Sequence, residues 1–207
     1  MSSNIEKALK AADETKALRI GSNILGEISH LFAEQFPGAK AIIVADTNTY
    51  ALAGNKIEAY LLQAGIEQEK PFVYAEPDLY AEYTYVERLR ESLKKHNAVP
   101  IAVGSGTIND LTKLASHEAG RRYMCVATAA SMDGYTAFGA SITYQGAKQT
   151  FNCPAPQACL ADIEVIKKAP RDMTASGYAD LFAKITAGAD WILADSLGVE
   201  PIDQQAW

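Results

Sequence analysis

Short apolar runs alternate with helix-length amphipathic stretches through the first two thirds of this chain, and that alternation restricts the fold more than any other feature. Residues 40–45 (KAIIVA), 70–75 (KPFVYA), 98–103 (AVPIAV) and 123–127 (YMCVA) read as buried strands. Between them, residues 48–64, 82–96 and 107–119 repeat apolar positions at helical spacing, such as Val86, Leu89 and Leu93. Strands separated by helices of this length cannot form hairpins. They fold as parallel βαβ units in a doubly wound sheet. Their near-continuous apolar character requires a sheet covered on both faces.

The pattern changes after about residue 128. Residues 136–152 (with TAFGASITYQGAKQTF) predict a small hairpin or irregular flap, followed by a short strand near 158–161. From about residue 172 the text is strongly helical, with a boundary in the interval 165–172. The expected fold is α/β: a doubly wound, mostly parallel Rossmann-like domain over 1–168, then the start of an all-helical domain over 169–207. The last segment is too short to enclose a core, so the reading expects a larger helical domain that has been cut off.

Composition narrows the function classes. The 207 residues carry a net charge of −6, and an acidic chain is a poor partner for nucleic acid. No run reaches the ~18 apolar residues of a membrane helix. The N-terminus is polar and lacks an apolar signal core. Cys125, Cys153 and Cys159 fit no zinc spacing and read as free buried thiols of a reducing cytosol. A cytoplasmic location is expected. His30, His96 and His117 fall in polar helical stretches and read as solvent-facing; no two have ligand spacing.

Four segments offer chemistry. Gly104-Ser105-Gly106-Thr107-Ile108-Asn109-Asp110 follows a strand and opens a helix. Glycines there allow a tight turn and close approach of a phosphate to backbone amides at the helix N-terminus. The same residues also suit a plain turn, with Thr107 as N-cap and Asp110 completing a capping-box variant. Asp46 ends the first of these strands, where a carboxylate can accept hydrogen bonds from a ribose diol and repel a 2′-phosphate, or simply cap the next helix. Thr128-Ala129-Ala130-Ser131-Met132-Asp133-Gly134 follows another strand, and open parallel sheets bind ligands beyond strand carboxyl ends; a simple Asp-Gly turn is the alternative. Asp180 interrupts an apolar helical run, with Lys184 one turn on, and reads either as a metal ligand or as half of a surface ion pair.

In order, VADTNTY, GSGTINDLTKLAS, TAASMDGY and SGYADLFAKITAGADW resemble the sn-glycerol-1-phosphate dehydrogenases, especially the bacterial AraM-type enzymes, over about residues 17 to 197. That family stands with glycerol dehydrogenase, the iron-containing alcohol dehydrogenases and 3-dehydroquinate synthase. The resemblance implies reversible hydride transfer between NAD (or NADP) and dihydroxyacetone phosphate, a small phosphorylated ketone. It implies that Asp46 contacts the cofactor ribose, that Gly104 and Gly106 through Asp110 cradle the pyrophosphate, and that Thr128 through Ser131 line the cofactor further along. Asp133 and Asp180 become the catalytic, substrate-facing acids, Asp180 also ligating a divalent nickel or zinc ion. Lys184 and Lys148 are the cations available to the substrate's phosphate. The family is often homodimeric. The two histidines that normally complete the metal site have no match here, so this chain alone is expected to be nearly inactive. Ala137 replaces a serine common in the family. A 3-dehydroquinate synthase-like lyase and a non-catalytic nucleotide-binding fragment are the alternatives. The lyase reading lacks its glycine-lysine segment after Asp133.

Overall fold

The computed structural model describes residues 3–204 and 206–207. Its strands form where the apolar runs predicted them. β1 (Ala17–Gly21), β2 (Ala41–Asp46), β3 (Phe72–Tyr74), β4 (Val99–Gly104), β5 (Met124–Ala127) and β8 (Ala158–Asp162) make one six-stranded sheet, in the order β1-β8-β5-β4-β2-β3. Every pairing in it is parallel. β6 (Ala140–Tyr144) and β7 (Ala147–Phe151) form a separate antiparallel hairpin, as the change of pattern after residue 128 suggested.

Both faces of the sheet are covered because alternate strand residues point to opposite sides. Ile43, Val103, Val126 and Leu160 point to one side, into a core with Phe32, Ile57 and Leu61. These come from α2 (Ile28–Gln35) and α4 (Asn55–Gln63). Ile42, Val44, Ala102, Cys125 and Cys159 point to the other, against Val86, Leu89, Ile108 and Leu111. Those belong to α5 (Tyr83–Leu93) and α6 (Gly106–Glu118). The three cysteines are free and buried, as expected.

Several details depart from the sequence reading. β1 and the helices α1 (Ser3–Ala11) and α2 were not expected. β1 is an edge strand with only Ala17 buried, so it carries no apolar run. The helix read over 48–64 is interrupted. It comprises a single turn, α3 (Thr47–Thr49), a π-helical turn at Tyr50–Gly54, and then α4. His96 is half-buried rather than solvent-facing. Its Nδ1 accepts the Ala98 N–H at 3.2 Å beside Arg121, and burial together with that guanidinium lowers its pKa.

After a short turn, α7 (Ile163–Ile166), the chain enters α8 (Arg171–Phe182) and α9 (Lys184–Ser196). Neither long helix has a buried residue, and Tyr178, Leu181, Phe182, Ile185 and Leu193 are exposed. No helix among the described residues is long and apolar enough to cross a membrane.

The sheet's connectivity fixes where a ligand can sit. The chain runs from β2 to β3 on one side, then returns to place β4 on the other side of β2. Connections leaving β2 and β4 diverge, which opens a crevice outside their carboxyl ends.

Candidate active site

Three strand ends meet at that crevice. β2 ends at Asp46, which caps α3: Oδ1 accepts the N–H groups of Asn48 (2.8 Å) and Thr49 (2.9 Å), while the Asp46 N–H donates to Thr49 Oγ1. The cap uses one carboxylate oxygen. Oδ2 has no hydrogen-bond partner among the described residues and remains able to accept.

β4 ends at Gly104, where a Cβ would lie 2.4 Å from the Cβ of Ile108. Glycine is required because α6 folds directly back onto the strand end. The helix starts two residues earlier than the turn reading supposed. Its N-cap is Ser105, in an extended conformation and with no side-chain cap, so Thr107 is not the N-cap. Asp110 consequently lies too far along the helix to complete a capping box. Uncapped first-turn amides and the aligned helix dipole favour an anion at this end, and Gly106 and Thr107 line a cleft of about 820 Å³ there.

β5 ends beside β4, and the buried Thr128 donates its N–H to the Gly104 carbonyl at 3.1 Å. The following loop is fixed from three directions. Tyr135 Oη donates to the Ala129 carbonyl at 2.6 Å. Met132 packs on Gly106, whose added Cβ would sit 3.1 Å from its Sδ. Gly177 of α8 lies so close that a Cβ would fall 2.0 Å from the Ala130 carbonyl oxygen.

That last contact sets α8 against the loop and brings the two predicted acids together. Asp180 Oδ2 accepts the Asp133 backbone N–H at 2.9 Å, an interaction that holds the Asp180 carboxyl below its ordinary pKa. Lys184 pairs with the Asp133 carboxylate at 2.9 Å, which raises its own pKa. The expected alternative, an Asp180–Lys184 surface pair, is therefore replaced by an Asp133–Lys184 pair. Asp133, Asp180 and Ser131 all line the cleft together with Gly106 and Thr107.

Asp110 also reaches the cleft, but its carboxylate accepts the Ser141 N–H at 3.1 Å and faces Lys113 at 3.7 Å. Burial raises the Asp110 pKa. Lys113 is 1% exposed and donates to the carbonyls of Ala137 (2.9 Å) and Gly139 (2.8 Å). Sequence reasoning missed this lysine. Its signal was a cation inside LTKLAS, where neighbouring residues on every side are buried. Asn109 is fully buried, with its Oδ1 accepting the Tyr123 hydroxyl at 3.1 Å, so its side chain serves the core. Asp162 was also missed. It ends β8 and accepts the N–H groups of Asn23, Leu25 and Glu164, repeating the strand-end cap of Asp46.

The cleft brings the α6 N-terminus, hydroxyl groups and three carboxylates to one opening. A metal fits incompletely. Among the described residues no group of three His, Cys, Asp or Glu side chains converges to hold an ion. Asp180 supplies one carboxylate, and Asp133's is paired with Lys184, so these residues do not by themselves make a metal centre.

A parallel sheet with a crevice at its switch point, Asp133 on the loop after β5 and Asp180 on the following helix define a doubly wound, Rossmann-like α/β fold. The profile described as iron-containing alcohol dehydrogenase matches residues 19–170, and the chain belongs to that family. A glycerol-1-phosphate dehydrogenase [NAD(P)+] of Halalkalibacterium halodurans is 36% identical over 91% of this chain and 47% of its own. The glycerol dehydrogenase of Schizosaccharomyces pombe superposes with a TM-score of 0.70 at 25% identity, covering 82% of this chain and 42% of that one. An archaeal halo-thermophilic Red Sea brine pool alcohol dehydrogenase has the same fold, with a TM-score of 0.72 at 20% identity over 82% of this chain and 50% of its own. The chain spans about half the length of the curated relatives it matches.

Proposed function

We propose that this chain is the nucleotide-binding half of an NAD(P)-dependent dehydrogenase that interconverts dihydroxyacetone phosphate and sn-glycerol 1-phosphate. The observation that carries the reading is the meeting of Asp133 and Asp180 with the α6 N-terminus in one cleft. It is supported by the likeness to relatives named glycerol-1-phosphate dehydrogenase [NAD(P)+]. Domain limits of 1–168 and 169–207, and a cytoplasmic location, are part of the same proposal.

In this reading the cofactor lies across the carboxyl ends of β2, β4 and β5. Asp46 Oδ2 accepts from the adenosine ribose and disfavours a 2′-phosphate, so NAD is preferred to NADP. Gly104 and Gly106 let the pyrophosphate approach the backbone. The amides of Gly106, Thr107 and Ile108 face its charge, while Asn109 and Asp110 hold the helix that presents them. Thr128 and Ser131 line the path towards the nicotinamide.

The substrate sits between Asp133, Asp180 and Lys184. The Asp133–Lys184 pair fixes the orientation of a carboxylate that accepts from a substrate hydroxyl. Close packing of Gly177 on Ala130 keeps Asp180 next to it. The role of these groups is to hold the carbonyl carbon against the nicotinamide face, so that positioning lowers the barrier to hydride transfer. Asp180 is also proposed as one ligand of a divalent ion, nickel or zinc, in a protein of the relatives' full length. Such an ion would polarise the ketone oxygen.

The test is turnover of dihydroxyacetone phosphate with NADH by a protein of that length. Asp180→Asn is expected to lose bound metal and turnover together. Retention of both would return Asp180 to a structural role, and no NADH oxidation by the wild-type protein would overturn the reading.

A further inference from the structure

The β6–β7 hairpin has two chemically different faces. Ala140 and Ile142 are buried; Tyr144 packs edge-on against Phe151 and Tyr83 of α5, and Phe151 stacks on Tyr83. Alternation along the strands puts the residues between them on the opposite face. Ser141 stands across from Thr150, and Thr143 across from Lys148. That second face therefore carries three hydroxyls and one ammonium group, with no carboxylate. Ser141, Thr143 and Lys148 line the same cleft as Asp133 and Asp180.

The cations near the cleft differ in their commitments. Lys113 is buried under the hairpin's entry, bonded to the carbonyls of Ala137 and Gly139 and facing Asp110. Lys184 is paired with Asp133. Lys148 is exposed and makes no hydrogen bond or ion pair among the described residues. It lies near enough to Asp110 to lower that group's pKa, yet Asp110 already has Lys113 and the Ser141 amide. Asp110, Asp133 and Asp180 otherwise make the cleft acidic. A doubly charged phosphate ester entering it requires a cation, and hydroxyl donors beside that cation add hydrogen bonds to the phosphate oxygens.

We infer that the Ser141–Thr143–Lys148 face of the hairpin binds the phosphate group of the substrate, with Lys148 determining preference for a phosphorylated over an unphosphorylated polyol. The inference rests on the proposed dehydrogenase reading and assigns the substrate phosphate a place separate from the pyrophosphate site at α6. Lys113 and Asp110 act on it as positioning residues. They anchor residues 137–141 to α6 and so hold the phosphate face at a fixed distance from the nucleotide.

The test uses the 207-residue chain saturated with NADH, titrated with sn-glycerol 1-phosphate and separately with glycerol, followed by amide NMR and calorimetry. The phosphate ester is expected to shift the amide signals of residues 141–150, whereas glycerol leaves them in place. Lys148→Ala is expected to weaken sn-glycerol 1-phosphate by roughly tenfold or more, the usual cost of a lost charge-assisted hydrogen bond, with NADH affinity unchanged. Lys148→Arg should recover most of the loss. Phosphate-ester binding that survives Lys148→Ala, or shifts confined to Gly106–Ile108, would overturn the inference while leaving the dehydrogenase reading intact. Loss of NADH affinity in Lys148→Ala would assign the lysine to the cofactor's phosphates and overturn it too. A wild-type chain that binds NADH but shows no preference for the phosphate ester over glycerol would overturn the inference, whereas failure to bind NADH at all would overturn the dehydrogenase reading on which it rests.

Discussion

Gly104 illustrates how much of the site depends on single residues. The side chain of Ile108 fills the space that any Cβ at this position would need. Gly104→Ala is expected to destabilise the chain by about 1–3 kcal/mol through overpacking, and to weaken NADH binding by shifting the first turn of α6. Urea denaturation and NADH titration of the same variant check both effects. Unchanged stability would mean that α6 is free to move away from the strand. The glycine was legible in the sequence because it stands between a strand and a helix; the reason for it was not, since Ile108's position depends on the whole helix. Asp46 was legible in the same way, and its alternatives prove compatible: one oxygen caps α3 and the other is unassigned. Lys113 could not be read correctly from the sequence, because its partners are backbone carbonyls 24 and 26 residues away.

At the scale of elements, the buried central strands announced themselves through apolar runs, and the edge strand β1 did not. A strand exposed on one side needs fewer apolar residues, so Leu18, Arg19 and Ile20 give no distinctive pattern. The hairpin was expected only as a flap, and its two-sidedness appears once register is fixed. Its attachment to α6 runs through the Lys113–Asp110 pair. Lys113→Met removes the charge and leaves the buried Asp110 without it and two carbonyls without a donor. Breaking a buried pair this way costs roughly 3–5 kcal/mol. The expected result is a loss of that order in urea denaturation, accompanied by early hydrogen exchange of residues 140–151 while β4 and β5 stay protected. Equal loss of protection in hairpin and sheet would show that Lys113 supports the whole domain rather than the hairpin. The meeting of Asp133 with Asp180 was likewise not derivable from local patterns, as 47 residues separate them. Only the ordered family motifs hinted at it.

For the whole molecule, the division of labour follows from what is buried. The sheet and its flanking helices have two complete cores. α8 and α9 have none, although they place Asp180 and Lys184 at the cleft. In the proposed reading the sheet binds the nucleotide, and α8 and α9 carry an acid and a lysine to its cleft. The direct test is calorimetric titration of the folded 207-residue chain with NADH in the absence of added metal, with a chelator present. The account predicts saturable one-to-one binding that metal does not create. A folded chain that binds neither NADH nor NADPH would contradict it, because the crevice at the ends of β2, β4 and β5 would then not be a dinucleotide site.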